Sequence, residues 1–89
     1  MSTVVWKYEI PVADRPQISM PEGATILMVA EQNDVPCIWV RVDPSRPVMP
    51  RRFQFAGTGH PLPDGVGRHV GSIMLSGASF VFHLFELED

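Results

Sequence analysis

Val70-Gly71-Ser72-Ile73-Met74-Leu75 runs through Ser76-Gly77 into Ala78-Ser79-Phe80-Val81-Phe82-His83-Leu84-Phe85-Glu86. Two runs rich in β-branched and aromatic residues around a Ser-Gly turn read as a β-hairpin. In the second run Phe80, Phe82 and Leu84 fall on one side, and Val81, His83 and Phe85 on the other. Successive strand side chains point to opposite faces, so this strand is apolar on both. A single thin sheet would leave one of those faces wet. A second sheet or a second subunit has to cover it.

Working outward, the preceding segments repeat the pattern. Arg51-Arg52-Phe53-Gln54-Phe55-Ala56 alternates, which predicts Phe53 and Phe55 inward and Arg52 and Gln54 outward. Asp43-Pro44-Ser45-Arg46-Pro47-Val48-Met49-Pro50 carries three prolines and reads as an exposed, mobile loop, partly extended but without regular structure. Before it, Cys37 to Val42 reads as a strand that returns from Ala24–Ala30 through a turn at Glu31-Gln32-Asn33-Asp34. Ala24, Leu27, Met28 and Glu31 also have helical spacing, but the β-branched content and the flanking turns favour a strand at 24–30. Both its alternating sets are largely apolar, which predicts a central, covered position. Gln17–Met20 is a further short strand, closed by Pro21-Glu22-Gly23. At the start, Val4, Trp6, Tyr8 and Ile10 alternate with Lys7 and Glu9, the pattern of a half-buried strand.

About seven short antiparallel strands with Pro/Gly turns and no long amphipathic helix predict an all-β domain over residues 1–89, a small sandwich or partly open barrel. At 89 residues a single core is small, so a homo-oligomer is expected to add burial. The net charge of −3 supplies no basic footprint for duplex nucleic acid. Cys37 is the only cysteine, which rules out a disulfide within the chain and reads as an inert, buried thiol. No stretch approaches a membrane span and the N-terminus has no signal-peptide pattern, so the expectation is a cytoplasmic protein with no membrane partner.

One stretch departs from the scaffold pattern: Gly57-Thr58-Gly59-His60-Pro61-Leu62-Pro63-Asp64-Gly65-Val66-Gly67-Arg68-His69. Its glycines permit positive φ and close approach of a ligand to the backbone. Arg68 offers bidentate contacts to an anion, and His60 and His69 offer hydrogen bonds. Gly57, Thr58, Gly59, His60, Arg68 and His69 are therefore the core of a candidate ligand site. Trp39 and Arg41, on a strand side of mixed polarity, and Arg52, beside the proline loop, are candidate walls. The competing reading of the loop is a turn whose glycines only permit a bend. No catalytic residue, metal or cofactor is assigned: the three histidines lack ligand spacing, and no nucleophile is singled out.

Trp6-Lys7-Tyr8 with Pro11, Met20-Pro21 with Gly23-Ala24 and Ile26-Leu27, Pro36-Cys37 with Trp39, Val42-Asp43-Pro44, Arg52-Phe53, Gly57-Thr58-Gly59-His60, and Val81-Phe82-His83 with Phe85-Glu86 together form a pattern. In these residues the chain resembles a family of small proteins encoded by tailed bacteriophages and prophages. It departs from that pattern at Arg41, where members carry an apolar residue, and at Ser72, where they carry threonine. The resemblance implies a shared fold and residence in the host bacterial cytoplasm. It carries over no activity.

The expected function is a non-catalytic protein that binds a small anionic or nucleotide-like ligand, in the manner of a phage protein that sequesters a host immune signal. The alternatives are a protein–protein interaction module, as an inhibitor of a host protein or a minor virion component, and a small hydrolase.

Overall fold

The computed structural model describes residues 2–88; Met1 and Asp89 lie outside the described residues. Seven strands form, all paired antiparallel: β1 (Val4–Glu9), β2 (Gln17–Pro21), β3 (Thr25–Gln32), β4 (Val35–Val42), β5 (Val48–Gly57), β6 (Val66–Leu75) and β7 (Phe80–Leu87). They make a three-stranded sheet, β1-β4-β3, and a four-stranded sheet, β2-β5-β7-β6. The fold is a small all-β sandwich, not a closed barrel, and no helix is present among the described residues.

Turn chemistry sets both tight hairpins. Asn33 and Asp34 adopt φ of 53° and 65°, the paired left-handed conformations of a two-residue turn whose twist matches the strands it joins. The β6–β7 turn carries positive φ at Ser76, Gly77 and Ala78. Asp34 Oδ1 accepts the Ser76 N–H at 2.6 Å, so the two turns brace each other.

The core lies between the sheets. Ile38, Val40 and Val42 of β4 meet Phe53 and Phe55 of β5, Ile73 and Leu75 of β6 and Leu84 of β7, with Ile10 and Met20 at the ends. The three-stranded sheet thus covers one of the two apolar faces of the last strand at its Leu84 end, while Phe80 on the same face stays exposed. Contact between β3 and β6 depends on a missing side chain. A Cβ built on Gly71 would lie 2.4 Å from Val29 Cγ1.

Four expectations are corrected. The 24–30 segment is a strand, but β3 is an edge strand with Leu27 and Met28 half exposed, because β4 takes the central place. Regular structure resumes inside the proline segment: Val48, Met49 and Pro50 pair with β2, where β5 has not yet met β7, and a proline lacking its N–H is tolerated on a half-paired strand. Gln54, predicted outward, is buried at 8% exposure. Val66–His69, read as loop, begins β6.

Candidate functional site

The register of β6 on β7 runs regularly from Leu75↔Phe80 through Ser72↔His83 to Gly71↔Leu84, then slips so that His69 faces Phe85. Val70 is the extra residue of a β-bulge. His69 and Ser72 are three apart, and strict alternation would send them to opposite faces; the bulge brings both to the outer face.

A row of side chains results. Thr58 Oγ1 lies 2.9 Å from His83 Nε2, His83 Nδ1 lies 2.6 Å from Ser72 Oγ, and Ser72 Oγ lies 3.1 Å from His69 Nε2. With neutral rings the row satisfies itself in either direction. Thr58 donates to His83, His83 to Ser72 and Ser72 to His69, or every bond reverses and His69 becomes the first donor. The hydroxyl of Thr58 therefore meets solvent as an acceptor in one sense and as a donor in the other. The His69 ring also packs on Phe85, with centroids 5.1 Å apart.

The glycine loop closes over the Thr58 end. Gly59 adopts φ of +89°, the His60 N–H donates to Gly57 O at 3.0 Å, and the Thr58 N–H donates to Val81 O at 3.3 Å. The His60 ring folds onto Gly57, where an added Cβ would sit 3.0 Å from Nδ1. Between loop and sheet runs a groove of about 200 Å³ lined by Leu62 and Phe85 on its apolar side and by Thr58, His60 and His83 on its polar side.

The sequence-predicted residues divide. Gly57, Thr58, Gly59 and His60 line this groove, and His69 closes the far end of the row. Arg68 does not join them: next to His69 on β6, it lines a separate cleft with Arg51, Glu86 and Glu88. There Arg51 donates through Nε and Nη2 to both carboxylate oxygens of Glu86, at 2.7 and 2.8 Å, and through Nη1 to Ala24 O. The Glu86 hydrogen bonds hold the Arg51 pKa above its ordinary value. Arg51 is thus engaged in joining β5 to β7, as Arg46 is engaged with Glu22. Trp39 pairs across from Lys7 and Met28 on the other sheet, and Arg41 Nε donates to Thr3 Oγ1 at 3.1 Å. Arg52 is exposed on β5 opposite Gln17. No lysine or arginine lines the groove, so any anion there meets hydroxyl and imidazole dipoles rather than a guanidinium fork.

Ser72 and His83 are the members that sequence reasoning missed. A two-residue turn at Ser76–Gly77, as read from the sequence, sets them apart by placing 72 opposite 81; the connection is four residues long, 76–79, and places 72 opposite 83. The bulge that adds His69 had no signal in the sequence either. Among the described residues no three His, Cys, Asp or Glu side chains gather as a metal-ligand set.

One family model, described as a domain of unknown function (DUF7352), matches residues 1–89, and the chain belongs to that family. No curated protein and no solved structure matches.

Proposed function

We propose that this member of the DUF7352 family is a non-catalytic binding domain that holds a small nucleotide-like ligand in the groove between Leu62 and Phe85. The observation that carries the reading is the Thr58–His83–Ser72–His69 row, whose Thr58 and His83 end lines the polar side of that groove. A row that runs either way accepts a ligand donor or a ligand acceptor at Thr58 without leaving a hydrogen bond unmade, and unmade bonds are what make polar recognition costly. Phe85 and Leu62 supply apolar surface for a ring, and His60 supplies a second polar edge. The resemblance to phage proteins gives the biological form: a small oligomeric protein that removes a host immune nucleotide signal by holding it, which requires affinity and no turnover.

The test is native mass spectrometry of the protein alone and with a panel of cyclic and ADP-ribose-type nucleotides. The expected result is a discrete oligomer with bound nucleotide, recovered intact on denaturation. Ser72→Ala breaks the middle of the row and should weaken binding about five- to tenfold, the loss of one hydrogen bond. Failure of every nucleotide in the panel to bind overturns the reading.

The contact of 2.6 Å between Ser72 Oγ and His83 Nδ1 favours a second reading, a hydrolase with Ser72 as nucleophile and His83 as base. Here a threonine, not a carboxylate, holds the far nitrogen of the imidazole. Recovery of a cleaved nucleotide, abolished by Ser72→Ala, would establish that reading instead.

A further inference from the structure

We infer that the second half of β5 is a docking edge for an extended peptide of a protein partner, one that carries apolar residues and a lysine or arginine. This goes beyond the ligand groove proposed above: it uses the edge of the strand that faces away from β7, in a neighbouring groove that shares Ala56, Gly57 and His60 with the first.

The argument starts from which way the backbone points. The Phe53 N–H donates to Pro16 O and the Thr58 N–H to Val81 O, so odd residues of β5 direct their N–H and C=O groups toward the β2 side and even residues toward β7. β2 pairs only with Val48–Arg52, and the chain before it turns away at Pro16. Phe55 and Gly57 therefore direct their N–H groups at an edge with no strand beside it, and neither N–H finds a partner among the described residues. This edge is sunk in a groove of about 400 Å³, walled by Val12, Ala13 and Asp14 on one side and by Pro61 and Pro63 on the other.

A side chain stands in for the missing strand. Gln54 is 8% exposed and lines the groove, and its Nε2 donates to Phe55 O at 2.9 Å, the bond an adjacent strand would make. Its Oε1 is buried with no partner among the described residues. A buried amide oxygen left unpaired keeps its desolvation penalty with nothing to offset it. An added strand would release the amide by giving Phe55 O a backbone donor, and would supply carbonyls to the Phe55 and Gly57 N–H groups. This is recognition by strand addition, in which the backbone gives affinity and the walls give specificity. The walls are apolar except for Asp14, whose side chain accepts from Gln54 Nε2 at 3.5 Å and from no other group among the described residues, and His60. Asp14 selects a basic side chain and disfavours an anion.

The test is amide NMR on the intact protein titrated with two blocked synthetic peptides, acetyl-Val-Lys-Val-Thr-Val-Lys-amide and the same peptide with glutamate for each lysine. In the free protein the Phe55 and Gly57 amides should exchange with solvent at least tenfold faster than those of Gln54 and Ala56. The lysine peptide should slow that exchange at least tenfold and bind at least tenfold more tightly than the glutamate peptide. Ala13→Trp, a change at an exposed loop position that fills the groove, should abolish the effect, and Asp14→Asn should erase the preference for lysine. Fast exchange unchanged at millimolar lysine peptide, equal binding to Ala13→Trp, or protection confined to the β1 edge would each overturn the inference. Nucleotide binding reports at Thr58, Ser72 and His83 instead, so the failure of either proposal is distinguishable from failure of the other.

Discussion

On its inner face the β6–β7 hairpin sets Ile73, Leu75 and Leu84 into the core at no more than 7% exposure, in strict alternation. On its outer face it sets His69, Ser72 and His83 in a hydrogen-bonded row that strict alternation forbids. The same backbone serves both. Regular register makes the fold, because burial demands that every second side chain face inward. A break in register extends that row to His69, because only an extra residue can bring side chains three apart to one face. If this division holds, changes on the inner face should act on stability and those on the outer face on recognition.

The largest expected effect is on the inner face. Leu84 is fully buried among Phe53, Phe55 and the β4 aliphatics, so Leu84→Ala should cost about 3–4 kcal/mol of unfolding free energy, read as a shift in denaturant midpoint. Next is Gly71→Ala, which places a methyl group against Val29 and should cost about 2 kcal/mol through overpacking. Val29→Ala in the same chain should return part of that loss, since it removes the atom struck. Two losses that simply add would show that Gly71 is needed for some reason other than the approach of β3.

The contrast also explains what could be read in advance. Alternation at 4–10 and 51–56, the Asn33-Asp34 turn and the doubly apolar last strand led to seven strands and a sandwich. Burial enforces the alternation in β5 but not in β1, where Val4 and Trp6, read as the buried side, stay exposed. Position within a sheet did not follow. The apolar run of β3 looks central, yet edge strands also carry apolar side chains, and Leu27 and Met28 remain half exposed. The candidate site was legible only in the loop, where Gly57–His60 proved to line a groove. Arg68 was assigned to the wrong company because a segment read as flexible is a strand, and adjacent strand residues diverge. Gln54 was misplaced because period-2 reasoning knows faces but not ends: its face is outer, and the groove at the β5 edge still buries it.

Outer-face variants sharpen the comparison at smaller magnitudes. Ser72→Ala should change stability by less than about 1 kcal/mol, because the hydroxyl is exposed, while shifting the imidazole nitrogen resonances of both His69 and His83. Ser72→Thr keeps the hydroxyl and should keep both resonances near their original positions. A Ser72→Ala variant that unfolds would mean that the outer row is part of the fold and that the two faces do not divide as argued. Trp39→Ala, on the other sheet, should leave nucleotide binding unchanged.

The smallest effect lies away from both faces, at the turn after β4. The Ser45 hydroxyl and N–H both donate to Asp43 Oδ1, at 2.7 and 3.0 Å, and hold the Asp43 carboxyl below its ordinary pKa, with Arg46 adding a lesser electrostatic pull. A carboxyl whose folded pKa is lowered contributes stability above its unfolded pKa, and that contribution disappears as pH falls through the folded value. The group is exposed, so the change in stability should be slight, and the carboxyl carbon resonance is the sensitive probe. Ser45→Ala should move the Asp43 midpoint upward while leaving the His69 and His83 resonances untouched. If those imidazoles move as well, the turn after β4 and the outer face of the other sheet are coupled through the core, and the separation between a structural inner face and a recognising outer face fails at its weakest point.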